Sequence, residues 1–389
     1  MIVIKDKSRC CGCEACASVC PVDCLHMRLD GEGFVYPEVN EHVCINCHRC
    51  EDVCPISNYR TPDCDVNSAY AVRSKNSDVR LKSSSGGVFY HLTKVILDRG
   101  GVIVAPAFND YFELEHVVIC DYYSLNRAIG TKYVQSRMND IYIRIEKLLK
   151  RRVLVYFAGT PCQVLALKRY LGRDYDELIT QDLICHGVPS PWLWKKHLEY
   201  LSKDDERIEE VDFRDKSSGW RGYSLRVRFA NGREYCEPSY SDFYLKAYSK
   251  DLSSRPACYE CPVKGQCRVS DITLGDFWGI ENFVASMDDD FGTSLVMIHT
   301  HKGKELFAHL KDEVDIQEVN CTEALIYNRT ALVPPSPSKD RMRFFEELCT
   351  NEYMKVMKRY CRDGKLTEMK RFVRSTFSRM KRLLVHWYS

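Results

Sequence analysis

Short apolar runs and helical stretches alternate through the middle of the chain. The apolar runs are rich in β-branched residues, which is typical of buried strands, and they cover residues 102–108, 153–158 and 178–185. The helical stretches between them cover residues 87–97, 140–149 and 164–171. This alternation predicts an α/β domain built around a central sheet. Two further runs, residues 225–229 and 234–236, flank Asn231-Gly232 and predict a hairpin that is added antiparallel to that sheet.

The two ends of the chain lack this alternation. Residues 1–60 show little apolar periodicity and contain ten of the 21 cysteines, so something other than an apolar core must hold them together. We therefore expect a first domain at residues 1–60, a linker at 61–68, the α/β domain at 69–330 and a basic helical tail at 338–389.

Apolar residues of the tail fall on one stripe of a helix, and basic residues lie mostly off it. The stripe consists of Met369, Phe372, Val373, Phe377, Met380, Leu383, Leu384 and Trp387. Such a basic amphipathic helix can touch a membrane surface peripherally, or it can pack on its own domain with a solvated basic face. The sequence leaves both interpretations open.

The composition is ordinary for a soluble protein, with 45% hydrophobic residues, 28% charged residues and a net charge of +2 over 389 residues. No nucleic-acid partner is expected. The first nine residues contain no apolar signal segment, and no apolar run reaches the length of a membrane span. We therefore predict a cytoplasmic location, and in that reducing compartment cysteines serve as metal ligands more readily than as disulfides.

The cysteine spacing near the N terminus is duplicated after 34 residues. Each copy has the spacing C-x2-C-x2-C-x3-C-P, which is the pattern of bacterial ferredoxins that hold two 4Fe–4S clusters. Three close thiolates wrap one cluster, and the fourth cysteine of each run ligates the other cluster. The first cluster is therefore assigned Cys10, Cys13, Cys16 and Cys54, and the second Cys44, Cys47, Cys50 and Cys20. A zinc site is disfavoured, because it needs only four ligands and no duplicated run with both Cys-Pro ends.

A separate cysteine group consists of Cys258, Cys261 and Cys267. Three thiolates so close together predict a third 4Fe–4S cluster, with a zinc knuckle or unligated thiols as alternatives. The fourth ligand must come from elsewhere in the chain. We assign it to Cys185, at the end of a predicted strand, and keep Cys162 as the second candidate.

Several turns beside predicted strands and helices favour an anion or a flat cofactor. Residues 84–87 (Ser-Ser-Gly-Gly) precede a helix, where they can offer backbone N–H groups to a phosphate or simply cap the helix. Residues 159–163, 185–187 and 275–279 each follow a predicted strand, and ligands of α/β sheets usually bind at such positions. His186 is a catalytic candidate because it stands beside Cys185 in a glycine-containing turn.

Taken together, these motifs resemble the beta subunit family of deazaflavin (coenzyme F420) hydrogenases and dehydrogenases. The resemblance runs from Cys10 to about Val319, and it also includes residues 130–136, 212–220 and 271–279. It implies an α+β fold class: a small two-cluster ferredoxin domain, then an α/β flavin-binding domain and a helical tail. It further implies FAD beside the third cluster, with the FAD phosphates held by Ser84, Ser85, Gly86, Gly87 and Lys132.

The same resemblance implies the residues of the flavin region and the reaction. The flavin region would be lined by Tyr133, Gln135, Thr160, Pro161, Cys162, Gln163, Asp276, Phe277 and Trp278. Cys162, His186 and Asp276 are the catalytic candidates. Electrons would pass between the clusters and FAD, and hydride would be exchanged with a deazaflavin or another conjugated molecule.

The expected partners are a redox protein, either ferredoxin-like or a hydrogenase/dehydrogenase subunit, and a small hydride donor or acceptor. Two other functions remain open at this point. The chain could be an electron-transfer subunit that acts only inside a larger complex, or a binding module that uses zinc and thiols without redox chemistry.

Overall fold

The computed structural model describes residues 1–57, 59–62, 68–203 and 206–363. The chain divides into two compact units, with the boundary between Ser338 and Lys339. The cysteine-rich N terminus and the α/β region both belong to the first unit. Most of the predicted linker and the whole apolar stripe from Met369 to Trp387 lie outside the described residues.

The strands of the described residues follow one another in this order: β1 Leu25–Leu29, β2 Val35–Val39, β3 Ser68–Ser74, β4 Val102–Phe108, β5 Leu114–Ile119, β6 Val155–Ala158, β7 Leu178–Leu183, β8 Ile208–Asp215, β9 Ser224–Phe229, β10 Glu234–Pro238, β11 Ile272–Asp276, β12 Ser294–Ile298 and β13 Val314–Val319. The α-helices are α1 Ala15–Ser18, α2 Arg49–Asp52, α3 Ser77–Lys82, α4 Val88–Asp98, α5 Tyr122–Leu125, α6 Ile141–Lys150, α7 Pro161–Leu171, α8 Pro191–Leu201, α9 Phe243–Ser249, α10 His301–Ala308, α11 Cys321–Ala324, α12 Arg341–Thr350 and α13 Tyr353–Cys361.

A mixed sheet of eight described strands forms the centre of the first unit, in the order β13-β3-β12-β11-β7-β6-β4-β5. Its middle strands, β11, β7, β6 and β4, are parallel, and the outer pairs are antiparallel. The predicted alternation of strands and helices is therefore confirmed. Strand β4 has the predicted bounds, and β6 and β7 each differ from the prediction by two residues at one end.

The carboxyl ends of β6, β7 and β11 meet at one edge of this sheet. The register pairs Ala158 with Gln181 and Leu183 with Leu274, so the turns that follow these strands start at nearly the same level. This arrangement brings the three predicted ligand-binding turns to the same place.

The hairpin around Asn231-Gly232 forms, but its predicted position is wrong. Strands β9 and β10 pair antiparallel across the turn, and both belong to a separate three-stranded sheet with β8. The turn sequence determines the pairing of neighbouring strands, whereas the choice of sheet depends on β8, whose partner is set by long-range packing.

The cysteine-rich region shares its core with the α/β region. Ala15, Val53 and Ile56 pack in one apolar cluster with residues of α6 and α7, among them Ile145 and Val164. The apolar surface that residues 1–60 cannot provide for themselves is thus supplied by the neighbouring helices.

A buried carboxylate strengthens this contact. Glu14, which is only 4% exposed, accepts hydrogen bonds from Arg137 Nε at 2.8 Å and from the Met138 amide at 3.0 Å. The first cysteine run is therefore fixed to the α/β region by charge as well as by packing.

The second unit begins with helices α12 and α13. The ring of Phe344 meets the ring of Tyr360 edge to face, with the centroids 5.7 Å apart. Glu347 accepts a hydrogen bond from Arg359 Nη1 at 2.8 Å. These contacts join the two helices within their own unit.

Candidate functional site

The two cysteine runs fold into two copies of the same turn. Gly12 and Asn46 have left-handed backbone angles, with φ of 68° and 51°, just before the second cysteine of each run. Glu14 and His48 are left-handed in the same way, with φ of 63° and 61°, and they precede the short helices α1 and α2 that carry the third cysteine. The sequence repeat is therefore also a repeat of backbone structure.

The structure brings the assigned ligands of each ferredoxin-type cluster together. Burial raises the pKa of the Cys16 thiol, and the charges of Cys10 and Cys54 raise it further, so these thiols are close neighbours. One cavity is lined by the four cysteines of the second set, Cys20, Cys44, Cys47 and Cys50. Both groups fit the arrangement in which the last cysteine of each run crosses to the other cluster.

Four more thiols gather at the carboxyl edge of the central sheet. Cys162 lies in the first turn of α7, where the Thr160 amide donates to Gln163 Oε1 at 2.9 Å. Cys185 follows β7, and Cys258 ends a short 3-10 helix, Pro256–Cys258. Cys261 follows three residues later and completes the group.

The electrostatics of these four thiols fit a positively charged metal centre. Burial raises the pKa of Cys185 to about 12, and the charges of Cys162 and Cys261 contribute to the rise. Burial also raises the pKa of Cys258, and the charge of Cys185 adds to the effect. Thiolates that oppose one another's ionisation in a buried space are stabilised together when they share a metal centre.

Cys267, the third predicted ligand in this part of the sequence, is disulfide-bonded in the structure. The structure instead brings both candidates for the fourth ligand, Cys185 and Cys162, close to Cys258 and Cys261. Among the described residues, no three His, Cys, Asp or Glu side chains are arranged around a single metal ion. That finding concerns a site for one ion, whereas a 4Fe–4S cluster takes its four thiolates at separate corners of a cube.

A chain of polar and aromatic contacts runs through the predicted flavin region. Arg214 is 3% exposed and donates from Nη1 to Asp276 Oδ2 at 2.7 Å and to the Tyr133 hydroxyl at 3.2 Å. The Trp220 indole donates to Asp276 Oδ1 at 3.2 Å. Trp278 lies flat on Trp220, with ring centroids 4.6 Å apart and planes 9° apart. Asp276 is thus positioned by two donors and flanked by a flat aromatic pair.

His186 lies at the other end of this chain of contacts. Its Nε2 lies 2.7 Å from Asp251 Oδ1, and its ring meets Tyr248 edge to face at 5.2 Å. Tyr248 in turn contacts the ring of Tyr133 at 5.1 Å, so His186 and Asp276 are linked through aromatic rings and Arg214. The carboxylate of Asp251 fixes the orientation of the histidine ring.

A buried cationic side chain, Lys216, contacts the turn at residues 84–87. Lys216 Nζ donates to the carbonyl oxygens of Arg80, Ser85 and Phe291, at 2.6, 2.9 and 2.8 Å. Burial, followed by the charges of Arg214 and Arg80, lowers the pKa of Lys216 to about 7. A diphosphate at this turn would relieve the repulsion, so the residues present fit the anionic part of FAD.

Other predicted site residues have their polar groups or rings engaged within the protein. Lys132 Nζ donates to the carbonyl oxygens of Ile129 and Gly130, at 2.9 and 3.1 Å. Gln163 Nε2 donates to Ser136 Oγ at 3.0 Å. Phe277 is fully buried, with its ring centroid 5.5 Å from that of Phe283. Gln135 contacts the first cysteine run, through a hydrogen bond from its Nε2 to the Cys11 carbonyl oxygen at 3.0 Å.

The sequence patterns did not identify several residues that the structure places in the site. Tyr248, Asp251 and Arg255 stand in no recognisable motif, and only the folded chain brings them to the cysteines and His186. Arg214 stood in a segment that carried the family resemblance, two residues after Asp212. That segment was a usable signal for Arg214, because a charged side chain that becomes buried needs a partner of opposite charge.

The fold and the two kinds of cysteine group indicate the class: an iron–sulfur protein in which a cysteine-rich region is packed on an α/β region. Residues 9–58 match the family model of the 4Fe–4S dicluster domain, and residues 153–324 match the model of the C-terminal part of the coenzyme F420 hydrogenase/dehydrogenase beta subunit. Two segments of the chain are therefore similar to a dicluster domain and to the C-terminal part of this beta subunit, in agreement with the resemblance seen in the sequence.

Two individual proteins illustrate how far the similarity extends. The uncharacterized protein MJ1349 from Methanocaldococcus jannaschii is 26% identical over 346 residues, covering 78% of this chain and 87% of that protein. A chain of the xenon-derivatized F420-reducing [NiFe] hydrogenase complex from Methanosarcina barkeri aligns with a TM-score of 0.44 and 18% identity. That alignment covers 69% of this chain and 91% of the other chain.

The predicted absence of a membrane span can be compared with the structure. Within the described residues, no helix combines the length and the apolar character needed to cross a bilayer. The peripheral contact predicted for the basic tail concerns residues outside the described part and stays a prediction.

Proposed function

We propose that the chain is an oxidoreductase that passes single electrons through three 4Fe–4S clusters to FAD. The observation that carries this proposal is the position of Cys11. The neighbouring thiols of Cys13 and Cys162 both shift the pKa of the partly buried Cys11, so Cys11 lies between a member of the first ferredoxin-type ligand set and a member of the four-thiol group. Such proximity is what electron transfer between two buried centres requires.

Each part of the site has a distinct task in this proposal. When bound, the clusters carry one electron each, and FAD exchanges single electrons for a hydride. Cys162, Cys185, Cys258 and Cys261 would hold the third cluster. The FAD diphosphate would lie at the turn of residues 84–87, where the Gly86 amide is bonded to Ser294, and it would be held mainly by the positive charges beside the turn. The stacked pair Trp220 and Trp278 would limit the space open to the flat ring.

Two side chains of this site have separate roles in the proposal. Asp276 accepts hydrogen bonds from Arg214 and Trp220, which fix its carboxylate in place. His186 is oriented by Asp251 and can hold a proton at either ring nitrogen. We propose Asp276 as the group that orients the flavin ring and His186 as the group that exchanges a proton with the bulk.

The substrate side of the proposal is a small conjugated hydride donor or acceptor, with deazaflavin as the first choice because of the family match. A redox protein would then exchange electrons at the second cluster, whose ligand Cys47 is exposed. The second candidate function, an electron-transfer subunit without its own substrate, is supported by the same exposed cluster site.

The third cluster is tested by cysteine substitution in the anaerobically purified full chain. The wild type should contain about twelve irons, three clusters of four. Cys162→Ser and Cys185→Ser should each lower the count toward eight, because each removes one of four ligands. Cys267→Ser should keep about twelve irons, since its sulfur is engaged in a disulfide. Cys236→Ser, at an exposed cysteine of β10, is the matched control.

Turnover measurements then separate the two candidate functions. The dithionite-reduced wild type should reduce a deazaflavin acceptor. Cys162→Ser and Cys185→Ser should not reduce it, although both variants keep the ferredoxin-type clusters. An unchanged iron count in Cys162→Ser and Cys185→Ser would contradict the assigned ligand set. Full iron content without turnover on any small acceptor would favour the electron-transfer protein that acts only in a complex.

A further inference from the structure

Arg255 is a fully buried cation that touches a cluster ligand. It is 0% exposed, and its Nη2 donates to Cys10 Sγ at 3.4 Å and to the Val35 carbonyl oxygen at 2.8 Å. Its Nε donates to the Cys10 carbonyl oxygen at 2.6 Å, and its Nη1 donates to Gln135 Oε1 at 3.1 Å. Among these acceptors, Cys10 Sγ is the one that a bound cluster converts into an anion.

The backbone of Arg255 is bonded to the other ligand group. Its carbonyl oxygen accepts a hydrogen bond from the Cys258 amide at 2.9 Å, and its amide donates to the Val188 carbonyl oxygen at 3.0 Å. The Val188 amide donates to Cys258 Sγ at 3.4 Å. One residue thus connects Cys10 of the first ligand set with Cys258 of the four-thiol group.

The loop around Gly12 is shaped to fit the guanidinium group. A Cβ atom at Gly12 would lie 2.5 Å from Arg255 Nη1 and 2.7 Å from Gln135 Nε2. The ring of Tyr36 also packs on the guanidinium group, with 4.3 Å from the guanidinium carbon to the ring centroid. The guanidinium group is therefore held in one position, with little room to follow a change of charge at the cluster.

We propose that Arg255 sets the reduction potential of the cluster bound through Cys10 and holds that cluster in electron-transfer contact with the one bound through Cys258. This inference rests on the proposed function. Reduction adds one negative charge to a cluster, and a buried N–H donor beside its ligand sulfur stabilises that charge, which raises the potential. With both clusters bound, this contact would let one electron pass from the reduced first cluster to the third, with no proton transferred.

Two substitutions in the full chain test Arg255 as a positioning residue. Arg255→Lys keeps the charge and loses the fork of donors, and Arg255→Gln keeps a donor and loses the charge. Arg233→Lys is the matched control, because Arg233 also donates to a backbone carbonyl oxygen, that of Leu201, and also lies on an aromatic ring, that of Phe229. The readouts are iron content and a redox titration followed by electron paramagnetic resonance.

The expected result is a full iron count in all variants and a more negative potential for one cluster in Arg255→Gln. A tenfold fall in the ratio of reduced to oxidised cluster at fixed potential corresponds to about 59 mV for a one-electron couple. The shift should be smaller in Arg255→Lys and absent in Arg233→Lys. Reduction of the third cluster by dithionite-reduced ferredoxin-type clusters should nevertheless slow in both Arg255 variants, because the side chain no longer fixes the first cluster against the third.

Three results would overturn the inference. Unchanged cluster potentials in iron-replete Arg255 variants would contradict this inference and would leave the proposed function untouched. Loss of iron in both Arg255 variants, with iron retained in Arg233→Lys, would show that Arg255 only supports the fold. A wild type that binds no iron would overturn the proposed function together with this inference.

Discussion

Two lysines beside the proposed diphosphate site have a lowered affinity for a proton. Burial lowers the pKa of Lys132 to about 7. Burial, with Arg214 and Arg80 nearby, lowers the pKa of Lys216 to about 7 as well. Both lysines are thus half protonated near neutral pH, and an anion bound among them would draw a proton onto each.

This linkage predicts that FAD affinity falls as the pH rises from about 6 to about 9. Below pH 7 the lysines already carry their protons, so binding needs no proton uptake. Above pH 7 each lysine must take up a proton when the diphosphate binds. For each lysine, the affinity for FAD therefore falls by up to about tenfold with every rise of one pH unit. Flavin fluorescence titrations at each pH measure the effect.

Control variants make this pH dependence specific. Lys216→Arg stays charged over the whole range and should flatten the profile. Lys302→Arg alters a lysine that donates to the carbonyl oxygens of Tyr175 and Leu178, and it should leave the profile unchanged. A flat profile in the wild type would contradict the placement of the diphosphate beside these lysines.

Residue-level predictions from the sequence are strongest where covalent spacing decides the geometry. The eight cysteines of the two runs could be assigned because close spacing along the chain forces closeness in space. Arg255 could not be predicted, because its contacts with Cys10 and Gln135 join residues that are far apart in the sequence. The disulfide at Cys267 could not be predicted either, because the spacing of cysteines along the chain does not determine which of them pair.

At the level of elements, the turn before α4 is tightly packed against the sheet. Gly86 donates its amide to Ser294 Oγ at 3.0 Å, and a Cβ at this position would lie 2.3 Å from the Val72 carbonyl oxygen. Glycine is therefore required at this position, because β3 and β12 lie too close to the turn for a side chain. Its amide is already engaged in the hydrogen bond to Ser294. The sequence indicated the turn correctly but could not show which strands press on it.

Gly86→Ala should consequently destabilise the protein by about 1–3 kcal/mol, the usual cost of overpacking a filled site. Gly31→Ala is the control, because nothing lies within 4 Å of its would-be Cβ and its change should stay within about 0.5 kcal/mol. Denaturant unfolding of the two anaerobic holoproteins measures the difference. Equal stability of the two variants would contradict the packing described for this turn.

At the scale of the whole molecule, the cysteine-rich region and the α/β region are packed together in the first unit. The cysteine-rich region shares an apolar cluster with α6 and α7, and Glu14 is bound by Arg137 and the Met138 amide. This packing holds the first ligand set against the four-thiol group. Sequence patterns could predict the two regions and their order, but not this docking, which depends on complementary surfaces.

Counting the electrons that the chain accepts tests the central claim most directly. Anaerobic titration of the oxidised full-length holoprotein with dithionite should consume about five electrons per chain, three for the clusters and two for FAD. The iron–sulfur absorption should bleach and the flavin band should disappear in the same titration. An end point near two electrons, without a flavin band, would mean that only the ferredoxin-type clusters are present, and it would contradict a route from three clusters to FAD.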